Sequence, residues 1–181
     1  MGYRLVLLLL VVVSFGACGK EIGDACVVAS DCSPNGDRQC DPDSSSPGGY
    51  CTIYGCDYST CPGEATCVRF FTGSFENPLQ EVQPNPPVDP PLRKVCGLVE
   101  DNETYVCSLD EQCALTGHCV LRSSEIRYCM RTCESDGDCR DGYECRDLEK
   151  MKEHGGEPLL APGVPFDAHA PKFCAVKPAS S

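Results

Sequence analysis

CESDGDCRDGYEC, residues 133–145, sets three cysteines at even five-residue intervals. The same beat recurs along the chain. A cysteine triplet with gaps of 4 to 7 is followed by a more distant fourth cysteine, placed after an aromatic or aliphatic residue. Four such units run Cys26-Cys32-Cys40-Cys51, Cys56-Cys61-Cys67-Cys96, Cys107-Cys113-Cys119-Cys129 and Cys133-Cys139-Cys145-Cys174. Four cysteines permit three pairings. The expected one is crossed, first to third and second to fourth, because both loops then close across the same turn. Pairing between neighbouring units is the competing arrangement.

Taken two by two, the units form halves that match. The gaps run 5, 7, 10, 4, 4, 5 and 28 in the first half and 5, 5, 9, 3, 5, 5 and 28 in the second. Flanks agree as well: Gly49-Tyr50-Cys51 with Arg127-Tyr128-Cys129, and Lys94-Val95-Cys96 with Lys172-Phe173-Cys174. The spacing predicts an internal duplication, with modules over residues 26–96 and 107–174, a linker over 97–106 and a tail over 175–181.

Composition says how such modules hold together. After residue 17, Leu, Ile, Val and Phe supply about 17% of the chain, below the level at which a packed core alone sustains a fold. Cross-links take over that role in small exported modules. All sixteen cysteines of the four units are expected to be disulfide-bonded, giving a small disulfide-rich fold of short β hairpins and irregular loops with little helix. Runs 49–54, 66–71, 104–107, 118–121 and 126–130 read as short strands. Asp147 to His154, stopped by Gly155-Gly156, reads as two helical turns. The first 28-residue gap carries Pro78, Pro84, Pro86, Pro87, Pro90 and Pro91 and reads as extended or irregular.

Phrases such as CESDGDCRDGYEC and CVVASDC (residues 26–32) resemble the cysteine-rich modules of Dickkopf and colipase type, in which hairpin fingers project from a disulfide knot. Asp-Cys followed by Gly-x-x-Cys, with a Gly-Tyr-Cys elsewhere, also resembles lipoproteins of predatory and social soil bacteria, the myxobacterial type. The 28-residue gaps and the lack of adjacent double cysteines depart from the animal modules, so their receptor-binding roles are not transferred.

The seventeenth cysteine stands apart. Arg4 precedes nine aliphatic residues, Leu5 to Val13, and then Ser14-Phe15-Gly16-Ala17-Cys18. A positive start, a short apolar run and small residues before a cut are the layout of a secretory signal, too short for a membrane span. Gly-Ala-Cys resembles the bacterial lipoprotein signal, with Phe15 where that family usually has Leu. The resemblance implies a signal peptide over 1–17, lipidation of Cys18 with diacylglyceryl and a further acyl chain such as palmitate, and a tether over 18–25. Setting Cys18 aside leaves an even sixteen, which agrees. The alternative is a soluble exported protein with Cys18 free or paired between chains. Gly19 in place of an aspartate favours the outer membrane of the cell envelope.

Charge narrows the partners. The formal net charge is −12, and no basic cluster exceeds Arg93-Lys94, so nucleic acid is excluded. No cofactor motif is present. Zinc sites bring cysteine pairs two to four apart, and only Cys129 and Cys133 approach that, so no metal site is expected. His118, His154 and His169 are scattered, without a G-x-S-x-G elbow or an H-E-x-x-H motif. Asp41-x-Asp43-x-Ser45 and Asp136-x-Asp138-x-x-Asp141-Gly142 offer oxygen ligands at calcium-like spacing. In the second, Arg140 stands where an oxygen donor belongs, and solvated turns are the better reading. Asn102-Glu103-Thr104 is formally a glycosylation sequon.

The functional expectation is a membrane-anchored, non-enzymatic binding or structural module that presents its two 28-residue loops to an envelope protein or a glycan. An exported hydrolase or protease inhibitor is one alternative. A weak hydrolase using His118 or His154 is another, and it requires one of them in a cleft beside a nucleophile.

Overall fold

The computed structural model describes residues 19–42, 48–72, 95–96, 105–167 and 169–178, with backbone alone at 95–96 and 105–106. The leader, Cys18, Asp43, Ser45, the proline-rich stretch and the sequon lie outside the described residues.

Short strands dominate, as a chain rich in cysteine, glycine and turn residues dictates. They are β1 (Ala25–Cys26), β2 (Gln39–Asp41), β3 (Gly49–Thr52), β4 (Ala65–Phe71), β5 (Val95–Cys96) and β6 (Tyr105–Val106). Then come β7 (Glu111–Cys113), β8 (Cys119–Leu121), β9 (Glu125–Arg131), β10 (Tyr143–Arg146), β11 (Glu157–Pro158) and β12 (Phe173–Val176). Among the described residues helix is confined to α1 (Ala29–Cys32), α2 (Leu148–His154) and two 3₁₀ turns. All pairings are antiparallel, in small sheets ordered β1-β3-β2, β11-β4-β9, β10-β12, β5-β6 and β7-β8. The five predicted strands are found, and so is the predicted helix. Its Asp147 cap accepts from Lys150 N at 3.1 Å, and Gly155 ends it with φ 77°.

Seven disulfides join Cys26–Cys40, Cys32–Cys51, Cys56–Cys67, Cys61–Cys129, Cys107–Cys119, Cys133–Cys145 and Cys139–Cys174. Cys113 is disulfide-bonded too. The crossed arrangement therefore holds in the first and fourth units, and the first-to-third bond holds in all four. Pairing within units fails at Cys61, whose partner is Cys129 of the third unit. The reason is strand pairing. β4 and β9, the two longest strands, align over seven residues and set Cys67 opposite Cys129, as Cys40 faces Cys51 and Cys145 faces Cys174. In each of these frames the third and fourth cysteines face each other across a ladder, and each bonds back to the loop before it. Here the fourth cysteine comes from the other half of the chain.

The two matching halves are consequently not separate bodies. Cys61–Cys129 and the β4–β9 ladder tie them together, and one core draws on both: Ile22, Tyr50, Cys56 and Val68 with Cys129, Met130, Tyr143, Met151, Phe173 and Ala175. The duplication expected from the gaps does not extend to the pairing, because the counterpart of Cys139–Cys174 would be Cys61–Cys96. Nor does the second long gap hang free. Met151, Gly156, Glu157 and Pro158 are buried, and β11 adds to the edge of β4. A Cβ on Gly156, at φ 85°, would stand 2.7 Å from Phe173 and 2.8 Å from Phe70, so only glycine fits.

Across this sheet the charges interleave. Glu157 takes Arg69 Nε at 2.8 Å and Nη2 at 2.6 Å, and it also accepts from Leu115 N. Arg127, opposite Arg69, is held by Glu125 at 2.6 Å, which relieves two like charges facing each other.

Candidate functional site

The same pairing that joins the halves opens a cleft of about 660 Å³ between them. Tyr50 and Thr52 come from β3, Asp41 from β2, Tyr54 from the turn after β3 and Phe70 from β4. From the other half come Tyr128 and Met130 on β9, Tyr143 and Arg146 on β10, His154 at the end of α2, and Ala175 and Val176 on β12.

Aromatic rings lock the walls. Tyr50 and Tyr143 stack at 5.4 Å with planes 24° apart. Tyr54 meets Tyr128 edge to face at 5.0 Å, and Phe70 meets Tyr128 at 6.0 Å. Such contacts add roughly 0.5–1.5 kcal/mol each beyond burial. Backbone bonds fix Tyr54 beside β9: Gly55 N to Arg127 O at 2.9 Å and Cys129 N to Ile53 O at 3.0 Å. Thr52 Oγ1 donates to Cys129 O at 2.8 Å. Tyr50 Oη accepts from Arg131 N at 3.0 Å. Burial pushes the Tyr50 phenol well above its ordinary range, so it stays protonated.

Arg140 packs against two of the lining tyrosines. Its guanidinium lies 4.2 Å from the Tyr143 ring centre and 5.5 Å from that of Tyr50, a cation–π arrangement. It donates to Gly49 O at 2.9 Å, Gly48 O at 3.1 Å and Tyr143 Oη. The residue that spoils the calcium pattern in the sequence is thus a bolt between the halves.

A charged constellation forms the inner wall. Arg146 and Glu144 are both buried, with side chains 8% and 7% exposed, and Arg146 Nε donates to Glu144 Oε1 at 3.0 Å. Arg146 Nη1 donates to His154 O and Gly155 O at 2.9 Å each, and Nη2 to Val176 O at 2.8 Å. Burial holds the Arg146 pKa below its ordinary value, opposed by Glu144. His154 Nδ1 lies 2.7 Å from the same Glu144 oxygen. Arg146 therefore fixes the end of α2 against β10 and β12, and His154 with it.

The other predicted positions divide plainly. His118 Nδ1 lies 3.3 Å from Thr116 Oγ1, and His169 is exposed beside Asp167; neither lines the cleft. His154 does line it, next to a carboxylate, but among the described residues the lining holds no serine and no cysteine. The acidic turn is engaged internally. Asp138 Oδ2 accepts from Glu134 N at 2.9 Å and Ser135 N at 2.8 Å, and Asp136 Oδ1 accepts from Cys145 N at 2.8 Å and Lys150 Nζ at 2.9 Å.

That use of an acceptor recurs in all four units. Asp31 Oδ2 accepts from Val27 N at 2.8 Å, Thr60 Oγ1 from Asp57 N at 2.8 Å and Glu111 Oε2 from Ser108 N at 2.8 Å. In each case a side chain near the second cysteine seals the loop onto the amide just after the first. These backbone bonds hold the Asp31 and Asp138 carboxyls below the usual aspartate range. Sulfur atoms of Cys26, Cys32 and Cys40 lie within 4.8 Å of one another, as do those of Cys56, Cys61 and Cys129 and of Cys133, Cys139 and Cys145. They are neighbouring disulfides, which have no thiolate to give a metal.

The cleft was missed in the sequence because its tyrosines are far apart along the chain. One signal was available. The residue before the fourth cysteine is Tyr50, Tyr128 or Phe173 in three units, and all three converge on the shared core. No family model, no curated protein and no solved structure matches the chain.

Proposed function

We propose that this chain is a lipid-anchored, extracytoplasmic binding module, without catalytic activity, whose ligand site is the tyrosine-lined cleft between its halves. The supporting observation is the cleft itself: a concavity of about 660 Å³, within the 300–1,000 Å³ range common for ligand sites, with apolar walls and a few converging polar groups. Disulfides brace both walls, Cys32–Cys51 beside Tyr50 and Cys61–Cys129 beside Tyr128, so little freedom is lost on binding. The anchor is Cys18 after the short apolar leader. Among the described residues no helix is long and apolar enough to cross a membrane, which leaves attachment to the lipid in this reading.

The non-enzymatic part of the proposal draws on the same wall. Glu144 Oε1 is shared between Arg146 and His154, and Thr52, the one serine or threonine among the described lining residues, donates its hydroxyl to a backbone carbonyl. A triad needs a nucleophile within reach of its base.

The test is capture from envelope extracts by oxidised protein, compared with Tyr54→Ala. Tyr54 is 40% exposed, so its loss alters the cleft more than the fold. A partner lost with Tyr54→Ala is expected; one retained equally refutes the cleft as the site. Cys18→Ser should release the protein from membranes or leave its precursor uncut. Normal maturation and membrane fractionation of that variant refute the anchor, and loss of a hydrolytic activity on His154→Ala with the fold intact refutes the non-enzymatic reading.

A further inference from the structure

We infer that the cleft takes a neutral oligosaccharide, an inference that rests on reading the cleft as the ligand site. Charge argues first. The chain carries a formal −12, yet among the described residues the cleft lining holds one carboxylate, Asp41, against one guanidinium, Arg146. Inside, the field is balanced, so an ionic ligand finds no complementary excess; outside, the acidic surface repels anions.

The wall chemistry argues second. A pyranose ring presents a face of C–H groups and a rim of hydroxyls that both donate and accept. Tyr54, Tyr128 and Phe70 offer apolar ring surface for the face. For the rim there are the Asp41 carboxylate as a further acceptor and Nε2 of His154, whose Nδ1 is engaged by Glu144 and whose Nε2 lies 3.5 Å from Glu153. Arg146 lines the cleft as well, and four of the guanidinium's five N–H groups go to Glu144, His154 O, Gly155 O and Val176 O, which leaves one on Nη2 beyond those bonds. A site built to pair hydroxyls at its edge and cover C–H surface at its centre selects a polyol over an equally large hydrocarbon. A volume of about 660 Å³ gives room for more than one ring.

The chain has seven tyrosines and no tryptophan, and four of those tyrosines line the cleft, so tyrosine fluorescence reads the site directly. Oxidised full-length protein is titrated with chitotriose, cellotriose and maltotriose, and with tetramethylammonium chloride and sodium benzoate as charged probes. Saturable quenching by at least one oligosaccharide is expected, weakened tenfold or more by Tyr54→Ala in protein that keeps the full disulfide complement and a cooperative unfolding transition. Saturation by a charged probe alone, or by none of the three sugars, overturns the inference. If the sugars fail while Tyr54→Ala still loses its envelope partner, the sugar assignment falls and the cleft remains the site. If neither changes, both fall.

Discussion

Replacing Arg146 with methionine should unlock the inner wall of the cleft. The guanidinium is 8% exposed and gives hydrogen bonds to Glu144, His154 O, Gly155 O and Val176 O. Methionine keeps much of the buried volume but leaves Glu144 with His154 as its remaining partner and strands three backbone carbonyls at the junction of α2, β10 and β12. Breaking a buried pair from one side costs about 3–5 kcal/mol. With a urea dependence of roughly 1–3 kcal/mol/M, the midpoint should fall by about 2 M. Urea titration of the oxidised protein, followed by tyrosine fluorescence or near-ultraviolet circular dichroism, measures it. Pairing the change with Glu144→Gln removes the uncompensated charge, so the double variant should recover about 1–2 kcal/mol relative to Arg146→Met alone. A single variant within 1 kcal/mol of the parent, or strict additivity in the pair, would refute the reasoning.

Gly156→Ala should destabilise by about 1–3 kcal/mol, since it combines a left-handed backbone with a Cβ driven into Phe173 and Phe70; an unchanged denaturation midpoint contradicts the packing. Asp31 and Asp138, with folded pKa values below the ordinary aspartate range, stabilise their loops fully above about pH 4 and lose that contribution as pH falls through the depressed values. NMR titration should place both midpoints below the unfolded reference, with the Val27, Val28, Glu134 and Ser135 amides moving in step; midpoints at or above it contradict the loop seal.

What could be read from the sequence and what could not divide along one physical line. Local chemistry was legible. Helix α2 announces itself through Asp147 and Gly155. The first-to-third disulfides follow from short gaps, because a loop of about a dozen residues closes at modest entropic cost. Cys61–Cys129 was not legible, for its sequence separation of 68 is set by a strand pairing that no local spacing encodes. The available hint was that runs 66–71 and 126–130 place Cys67 second from the start and Cys129 second from the end, the positions that face each other when the runs pair antiparallel. The cleft inherits that difficulty, since Tyr54 and Tyr128 become neighbours only once the turn after β3 pairs with β9. Arg140 illustrates the reverse error: read along the chain it is a missing calcium ligand, and across the fold it is the residue stacked on Tyr143 and Tyr50.

Everything proposed for the cleft depends on the halves being joined at Cys61–Cys129, and a non-reducing tryptic map tests that bond directly. Cleavage after Arg127 and Arg131 frees residues 128–131, which carry Cys129 alone, while residues 39–69 carry Cys61 and residues 95–122 carry Cys113. The account predicts that 128–131 remains linked to 39–69, itself linked to 21–38 through Cys26–Cys40 and Cys32–Cys51, and is released from them on reduction. Finding 128–131 linked instead to 95–122 would return Cys129 to its own unit, separate the halves and remove the basis for a shared cleft.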